Sequence, residues 1–139
     1  MKKTLFLASL AVMFLMVSCG PNNEKSKMYY EQGYDLFYHN QVDESIECFD
    51  QAIKYNPDNY EAYYLRGCAF NHNRKMDLAL KDWEKAIEIK PDYADPYFNI
   101  GLHYRRNNDM AMACYYFKLA EKYGRTSMED YVKYCDHYE

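Results

Sequence analysis

The sequence lacks the short motifs that mark most enzymes. Its 139 residues contain no glycine-rich phosphate loop, no His-Glu-x-x-His, no G-x-S-x-G and no C-x-x-C. The four histidines, His39, His72, His103 and His137, are scattered along the chain. His103 and His137 occupy equivalent positions of a repeat described below, but no carboxylate or cysteine completes a recognisable metal site with them. We therefore predict a protein that is not an enzyme and has no cofactor and no metal.

The sequence also lacks any block of basic residues. It has 17 basic and 21 acidic side chains and a formal net charge of −4. Proteins that bind nucleic acid usually carry a basic patch and a positive domain charge. The composition therefore predicts no nucleic-acid partner and no electrostatic attachment to anionic lipid.

No apolar run is long enough to cross a bilayer, which needs about 20 residues. The longest run, Leu5 to Val17, follows Lys2 and Lys3 and precedes the small residue Ser18. A positive start, a short apolar stretch and a small residue at the cut are typical of a secretory signal peptide. We predict that residues 1–18 are this signal peptide. Its removal leaves 15 basic and 21 acidic residues, a net charge of −6.

The segment Met16-Val17-Ser18-Cys19 resembles the lipobox of bacterial lipoproteins, although leucine is usual where Met16 stands. The resemblance implies that Cys19 becomes the lipidated first residue of an exported, membrane-anchored chain. Residues 19–25 are predicted to be the lipidated cysteine and a polar tether, which reaches at most about 20 Å. The residues after Cys19 lack the aspartate associated with inner-membrane retention, which favours the outer membrane of the cell envelope.

Residue types recur every 34 positions along the rest of the chain. Each of three units has an aromatic pair, then a glycine, a small residue, a large aromatic residue and an alanine. The glycines are Gly33, Gly67 and Gly101; the small residues are Ser45, Ala79 and Ala113; the large aromatic residues are Phe49, Trp83 and Phe117. Two of the units end in Asn56-Pro57-Asp58 and Lys90-Pro91-Asp92.

This pattern resembles the tetratricopeptide repeat (TPR), and the resemblance covers about residues 26–139. It implies an all-α solenoid, an alpha-alpha superhelix of three helix-turn-helix units at residues 26–59, 60–93 and 94–127. Thr126-Ser127 followed by Glu129 resembles a capping box and predicts a C-terminal capping helix over residues 127–139. We therefore expect seven helices and no strands.

The polar segments Asn40-Gln41, Asn73-Arg74-Lys75 and Asn107-Asn108 are predicted turns inside the units. Asp43, Asp77 and Asp109 then lie where an acidic cap or first-turn charge stabilises the second helix of each unit. A glycine within a helix costs about 1 kcal/mol relative to alanine, so something must pack closely against it. We expect the small residues of the partner helix to be those neighbours.

Four cysteines remain after Cys19, namely Cys48, Cys68, Cys114 and Cys135. In an oxidising compartment they could pair in three ways. A repeat that buries its own aromatic core does not need disulfides, so the sequence favours packed thiols. A Cys114–Cys135 bridge between neighbouring helices remains the alternative.

In the TPR family, the first helices of successive units line a concave groove that binds peptides or partner helices. The resemblance implies that this groove is aromatic at one end, has two arginines at the other, and is lined by Tyr30, Tyr34, Phe37, Tyr38, Tyr64, Cys68, Asn71, His72, Phe98, Leu102, Arg105 and Arg106. Family members that bind chaperone tails hold a terminal carboxylate with lysine and asparagine. Tyrosines stand at the matching positions here, so a reader of that kind is not expected.

The sequence therefore predicts a membrane-tethered adaptor that binds a protein or peptide partner in the bacterial cell envelope. The alternative is a lipoprotein that binds a glycan or small ligand, because stacked aromatic rings also suit sugars. Three units with a cap are near the minimum for independent stability, which leaves room for a homodimer through a helix face.

Overall fold

The computed structural model describes residues 21–133 and 135–138, so the predicted signal peptide and Cys19 lie outside the described residues. The described part contains seven α-helices and no strand. They are α1 (Asn23–Tyr38), α2 (Val42–Tyr55), α3 (Tyr60–His72), α4 (Met76–Ile89), α5 (Ala94–Arg106), α6 (Met110–Lys122) and α7 (Glu129–Val132), followed by a 3-10 turn at Cys135–Tyr138. The predicted all-α solenoid is confirmed. None of these helices is both long and apolar enough to span a membrane.

The six longer helices form three hairpins that stack in chain order. Helix α1 packs on α2, α3 on α4, and α5 on α6, while α2 contacts α3 and α4 contacts α5 between hairpins. The turns inside the hairpins share one backbone conformation, since Asn40, Arg74 and Asn108 adopt left-handed φ angles of 62°, 60° and 61°. Asparagine tolerates that conformation better than most residues. The three predicted turns are confirmed.

Side-chain caps and first-turn charges fix where several helices begin. Asn22, Asn59 and Asp109 each accept a hydrogen bond from a backbone N–H in the first turn of α1, α3 and α6. Asp43 and Asp77 lie in the first turns of α2 and α4, where a carboxylate stabilises the helix dipole. The roles predicted for Asp43, Asp77 and Asp109 are confirmed.

A glycine of the first helix lies against the large aromatic residue of the second helix in every hairpin. A Cβ atom added to Gly33 would lie 2.8 Å from the Phe49 ring, and one added to Gly101 would lie 2.6 Å from the Phe117 ring. Trp83 is equally close to Gly67, at 2.7 Å. The expectation that small residues of the partner helix are neighbours is confirmed for Ala79 and Ala113, whose backbone oxygens lie 3.1 and 3.3 Å from the added atom. The aromatic rings lie closer still.

A buried ion-pair network joins the first two hairpins. The guanidinium of Arg66 on α3 donates two hydrogen bonds to Asp82 of α4, at 2.7 and 2.8 Å, and one to Asp50 of α2. Burial alone would lower the pKa of Arg66, but the hydrogen bonds and charges of Asp82 and Asp50 outweigh it and raise that pKa. An arginine this buried needs charged partners, and the two aspartates provide them.

The C-terminal end differs from the predicted cap. Helix α7 covers only Glu129–Val132, and it begins without a side-chain cap, so the capping box at Thr126-Ser127 was wrong. Ser127 instead has a left-handed φ of 58°, which turns the chain so that Met128 becomes buried. Tyr131 then packs on Phe98 and Phe117, with ring centroids 4.9 and 5.2 Å away. The end of the stack is thus closed by one short helix and a turn.

A disulfide joins Cys114 of α6 to Cys135, whose Cα atoms lie 5.3 Å apart. The favoured prediction of packed thiols was wrong for this pair, because the chain after α7 folds back onto α6. It is right for Cys48 and Cys68, which are free thiols. The bridge fastens the C-terminal turn to the last hairpin.

The polar tether predicted over residues 19–25 is shorter than expected. Helix α1 begins at Asn23, since Asn22 caps it and donates its own N–H to the Tyr55 carbonyl of α2. Ser26, one turn into the helix, is buried and donates to the Ala52 carbonyl at 2.8 Å. The solenoid therefore begins at Asn23, four residues after Cys19.

Replacing Gly33 with alanine tests the glycine–aromatic contact. Alanine favours a helix by about 1 kcal/mol. The added methyl group must displace the buried Phe49 ring, and such overpacking costs about 1 to 3 kcal/mol. We expect Gly33→Ala to lower the free energy of unfolding by roughly 1 kcal/mol in urea denaturation. Gln32→Ala, at an exposed neighbouring position, should raise it slightly; equal stabilisation by both would contradict the packing argument.

Replacing Asp82 with alanine tests the ion-pair network. The Asp82 side chain is 7% exposed, and its loss leaves the Arg66 guanidinium largely buried with only the half-exposed Asp50. Removing one partner of a buried pair costs about 3 to 5 kcal/mol. We therefore expect Asp82→Ala to lower the urea-unfolding free energy by about 3 kcal/mol and Asp50→Ala by less than about 1 kcal/mol. Similar values for the two variants would show that Asp82 has no special role.

Candidate functional site

The predicted groove residues lie on the first helices of the three hairpins, and their exposure differs widely. Phe98 is only 8% exposed and packs in the core against Phe117 and Tyr131, so its assignment to the groove surface was wrong. The exposed members are Tyr34, Tyr38, His72, Arg105 and Arg106. Those of intermediate exposure are Tyr30, Phe37, Tyr64, Cys68, Asn71 and Leu102.

A tyrosine ladder, consisting of Tyr30, Tyr34 and Tyr38, runs along one face of α1. Residues four apart in a helix lie above one another, and the ring centroids are 6.4 Å and 4.5 Å apart in succession. Tyr38 is 68% and Tyr34 43% exposed. Burial and the carboxylate of Glu61 raise the pKa of Tyr30 to about 12. The ladder thus presents neutral, partly apolar rings whose hydroxyl groups can form hydrogen bonds.

A cavity of about 450 Å³ lies between α3 and α5, with Trp83 of α4 in its wall. We call it the arginine cavity; its lining is Asn71, Trp83, Asn99, Leu102, Arg105 and Arg106. Four of these six residues were predicted to line the groove. The sequence interpretation missed Asn99, although its spacing from Leu102 and Arg106 places all three on one helix face. Trp83 was predicted only as a core residue.

The two arginines of the cavity are held differently. The guanidinium of Arg105 lies 5.0 Å above the Tyr131 ring and 5.7 Å from the Phe117 ring, distances at which a cation and a ring attract. Arg106 is exposed at the end of α5. Among the described residues, neither arginine forms an ion pair with a carboxylate. Arg125, by contrast, pairs with Asp95 and stacks on Phe98 at 3.7 Å.

A cluster of neutral polar groups, Tyr64 and Cys68, adjoins the cavity through the lining residue Asn99. The Asn99 side-chain amide donates to the Tyr64 hydroxyl at 3.4 Å and to the Cys68 sulfur at 3.5 Å. Burial raises the pKa of the Cys68 thiol to about 11 and also raises that of Tyr64. Both groups are therefore neutral near pH 7, and Cys68 is a poor nucleophile there. Among the described residues, the buried Trp83 Nε1–H makes no hydrogen bond of good geometry.

Two of the histidines contact polar groups close to them in the sequence. His103 interacts with the Asn107 amide on its own helix at 3.1 Å, and His39 with the Asp35 carbonyl oxygen at 2.8 Å. Within residues 21–133 and 135–138, no three His, Cys, Asp or Glu side chains converge as a metal site would require.

A second cavity, of about 380 Å³, lies at the C-terminal end of the stack beside the disulfide. Its walls are mostly α6 side chains, together with Cys135 and Tyr138 from the final turn. None of the predicted groove residues lines it, so it is a separate surface from the arginine cavity.

The comparisons with known proteins agree with this architecture. Residues 30–96 match the tetratricopeptide repeat family. No curated protein matches the sequence. The crystal structure of MamA aligns with a TM-score of 0.67 and 29% identity, over 81% of this chain and 64% of that one. The chain thus spans less than two thirds of the MamA structure.

Two further solved structures resemble the whole solenoid more closely in shape. The first TPR of Spaghetti (RPAP3), bound to the HSP90 peptide SRMEEVD, aligns with a TM-score of 0.76 and 16% identity, over 86% of this chain and 97% of that one. The Arabidopsis OM64 TPR domain aligns with a TM-score of 0.75 and 22% identity, over 85% of this chain and 99% of that one. Identities this low show the fold alone. The described chain has the fold of a tetratricopeptide-repeat solenoid, with a family match over its first two hairpins.

Proposed function

We propose that this chain is a membrane-tethered adaptor that holds a protein or peptide partner in the bacterial cell envelope. The observation that carries the proposal is the exposed surface of the first helices, where the tyrosine ladder and the rim of the arginine cavity present the side chains of Tyr34, Tyr38 and Arg106 to solvent. Rigid tyrosines give contact area at low entropic cost, and arginine is enriched at binding hot spots. The Spaghetti structure holds a peptide on the same fold.

The membrane part of the proposal rests on the sequence around Cys19 and on two structural features. The solenoid begins at Asn23, so a lipid on Cys19 would hold it directly at the bilayer surface. The Cys114–Cys135 disulfide suits an oxidising compartment outside the cytoplasm. The absence of an aspartate after Cys19 favours the outer membrane.

A Cys19→Ser variant tests the tether. We expect the full chain to fractionate with membranes and to take up labelled fatty acid, and the variant to lose both properties. Cys48→Ser removes a free thiol within the solenoid and is the matched control, which should stay membrane-bound. If the Cys19 variant kept its lipid label, the anchor would have to lie elsewhere in the chain.

A glycan or small ligand is the second candidate, favoured by the exposed rings of the tyrosine ladder. The arginine cavity argues for a polypeptide instead, because its guanidinium groups are exposed at an open rim that an extended segment could follow. We do not propose catalysis, since the perturbed thiol of Cys68 is shifted away from reactivity near pH 7.

Affinity capture from detergent-solubilised envelopes tests partner binding. The baits are the full chain and a Tyr34→Ala, Tyr38→Ala variant, whose exposed rings can be removed without opening the core. Tyr115→Ala with Tyr138→Ala, at two other exposed tyrosines, is the matched control. We expect a protein retained by the parent and the control and reduced about tenfold or more with the ladder variant, as loss of a hot spot predicts.

If no protein differs between the baits, docking on the tyrosine ladder is wrong, and a glycan array with the same three chains becomes the decisive measurement. Recovery of this same chain as the captured protein would show a homodimer through the ladder.

A further inference from the structure

The arginine cavity is lined by positive charge, although the chain as a whole has a negative net charge. The whole sequence has more acidic than basic residues, yet no acidic side chain lines this cavity. Arg105 and Arg106 both reach it without a carboxylate partner among the described residues. Nearby Arg125 is already neutralised by Asp95. Two guanidinium groups in one concave site give a local positive potential that favours an anion.

The cavity is also prepared in advance for such a ligand. The stacking of Arg105 on Tyr131 and Phe117 limits the positions of its guanidinium, so less side-chain entropy is lost when it binds. A guanidinium pairs with a carboxylate through two parallel hydrogen bonds. Because Arg106 follows Arg105 directly and is exposed at the rim, it can bind the same ligand from the solvent side.

The remaining walls suit one side chain of a polypeptide. Leu102 offers an apolar contact for methylene groups, and the amides of Asn71 and Asn99 offer hydrogen bonds to a peptide backbone. A volume of about 450 Å³ accommodates a side chain with its flanking peptide groups, and it is too small for a folded domain. Four of its lining residues, Asn71, Leu102, Arg105 and Arg106, are predicted groove residues.

We propose that the arginine cavity binds an aspartate or glutamate side chain within the polypeptide segment that docks in the groove. This inference rests on the proposed function, which it deepens by naming the chemistry of the partner. The lysine and asparagine set with which chaperone-tail binders hold a terminal carboxylate is replaced here by Tyr30, Tyr34 and Tyr64. The acidic group is therefore internal to the segment, and a free C-terminus is not required.

Selection from a random library of short peptides, acetylated and amidated at their ends, tests the proposal on the full chain in detergent. We expect the selected peptides to be enriched in aspartate and glutamate. The only tryptophan of the chain lines the cavity, so Trp83 emission should change as a selected peptide is titrated. Replacing the acidic residue of that peptide with its amide should weaken binding about tenfold or more.

Variants of the exposed Arg106 assign the effect to the cavity. Arg106→Gln should weaken acidic peptides about tenfold, whereas Arg106→Glu should select lysine- and arginine-containing peptides instead. Lys81→Gln removes an equal charge from an exposed position on α4 that lines a different cavity, and it should leave binding unchanged. Arg106 makes no core contact, so these variants should all keep the parent circular dichroism.

The outcomes separate this inference from the proposed function. Peptides selected without acidic enrichment, and unaffected by Arg106→Gln, would overturn the acidic site and leave polypeptide docking intact. Equal weakening by Arg106→Gln and Lys81→Gln would also overturn it, because the attraction would then be a property of net charge. Failure to select any peptide would overturn polypeptide docking itself, and the acidic site with it.

Discussion

The contact between a glycine and an aromatic ring inside each hairpin is the constraint on which the rest of the structure depends. Gly33, Gly67 and Gly101 have no room for even one methyl group, because a ring of the second helix fills the space at under 3 Å. Every hairpin therefore has the same close approach of its two helices, and the 34-residue repeat of the sequence becomes a repeat of geometry. The aromatic residues are used on the inner faces of the hairpins, where burial stabilises them. Helices α1, α3 and α5 also carry exposed side chains, such as Tyr34, His72 and Arg106.

Arg66 shows how one unit can depart from the repeat without loss of the fold. A leucine at this position would contribute by burial alone, whereas the arginine needs partners to offset its desolvation. Asp82 of the same hairpin accepts two hydrogen bonds from the Arg66 guanidinium, and Asp50 of the preceding hairpin accepts one. The network thus helps to fix the relative orientation of the two hairpins, because hydrogen bonds are directional and apolar contacts are not. It lies outside the arginine cavity, whose lining includes neither Arg66 nor its aspartates.

The sequence was sufficient for the fold because the repeat occurs in three copies, so each helix, turn and acidic cap had two equivalents to support it. The sequence predicted less reliably the features that occur only once in the chain. The C-terminal cap was predicted from Thr126-Ser127, but the burial of Met128 and the left-handed Ser127 override that local signal. The Cys114–Cys135 bridge depends on a fold-back that no repeat position encodes. Of the groove residues, Phe98 is part of the core because Tyr131 of the cap covers it. The resemblance did not imply Asn99, although its spacing from Leu102 and Arg106 places it on the same helix face.

The two ends of the groove differ in chemistry, and this difference bears on how a segment would dock. The tyrosine ladder on α1 offers partly apolar rings that contribute through contact area, and burial raises the pKa of its Tyr30 hydroxyl. The arginine cavity beside α5 offers charge-assisted hydrogen bonds, which depend strongly on the geometry of their partner. A segment that docks with its aromatic or apolar part on the ladder and its acidic residue in the cavity has only one favourable direction. Reversal would place the carboxylate beside the tyrosine rings and leave the two guanidinium groups of the arginine cavity without an anion. The arrangement therefore favours one orientation of the proposed partner for two reasons. The right orientation pairs the acidic residue with the guanidinium groups, and the reversed orientation leaves both without a partner.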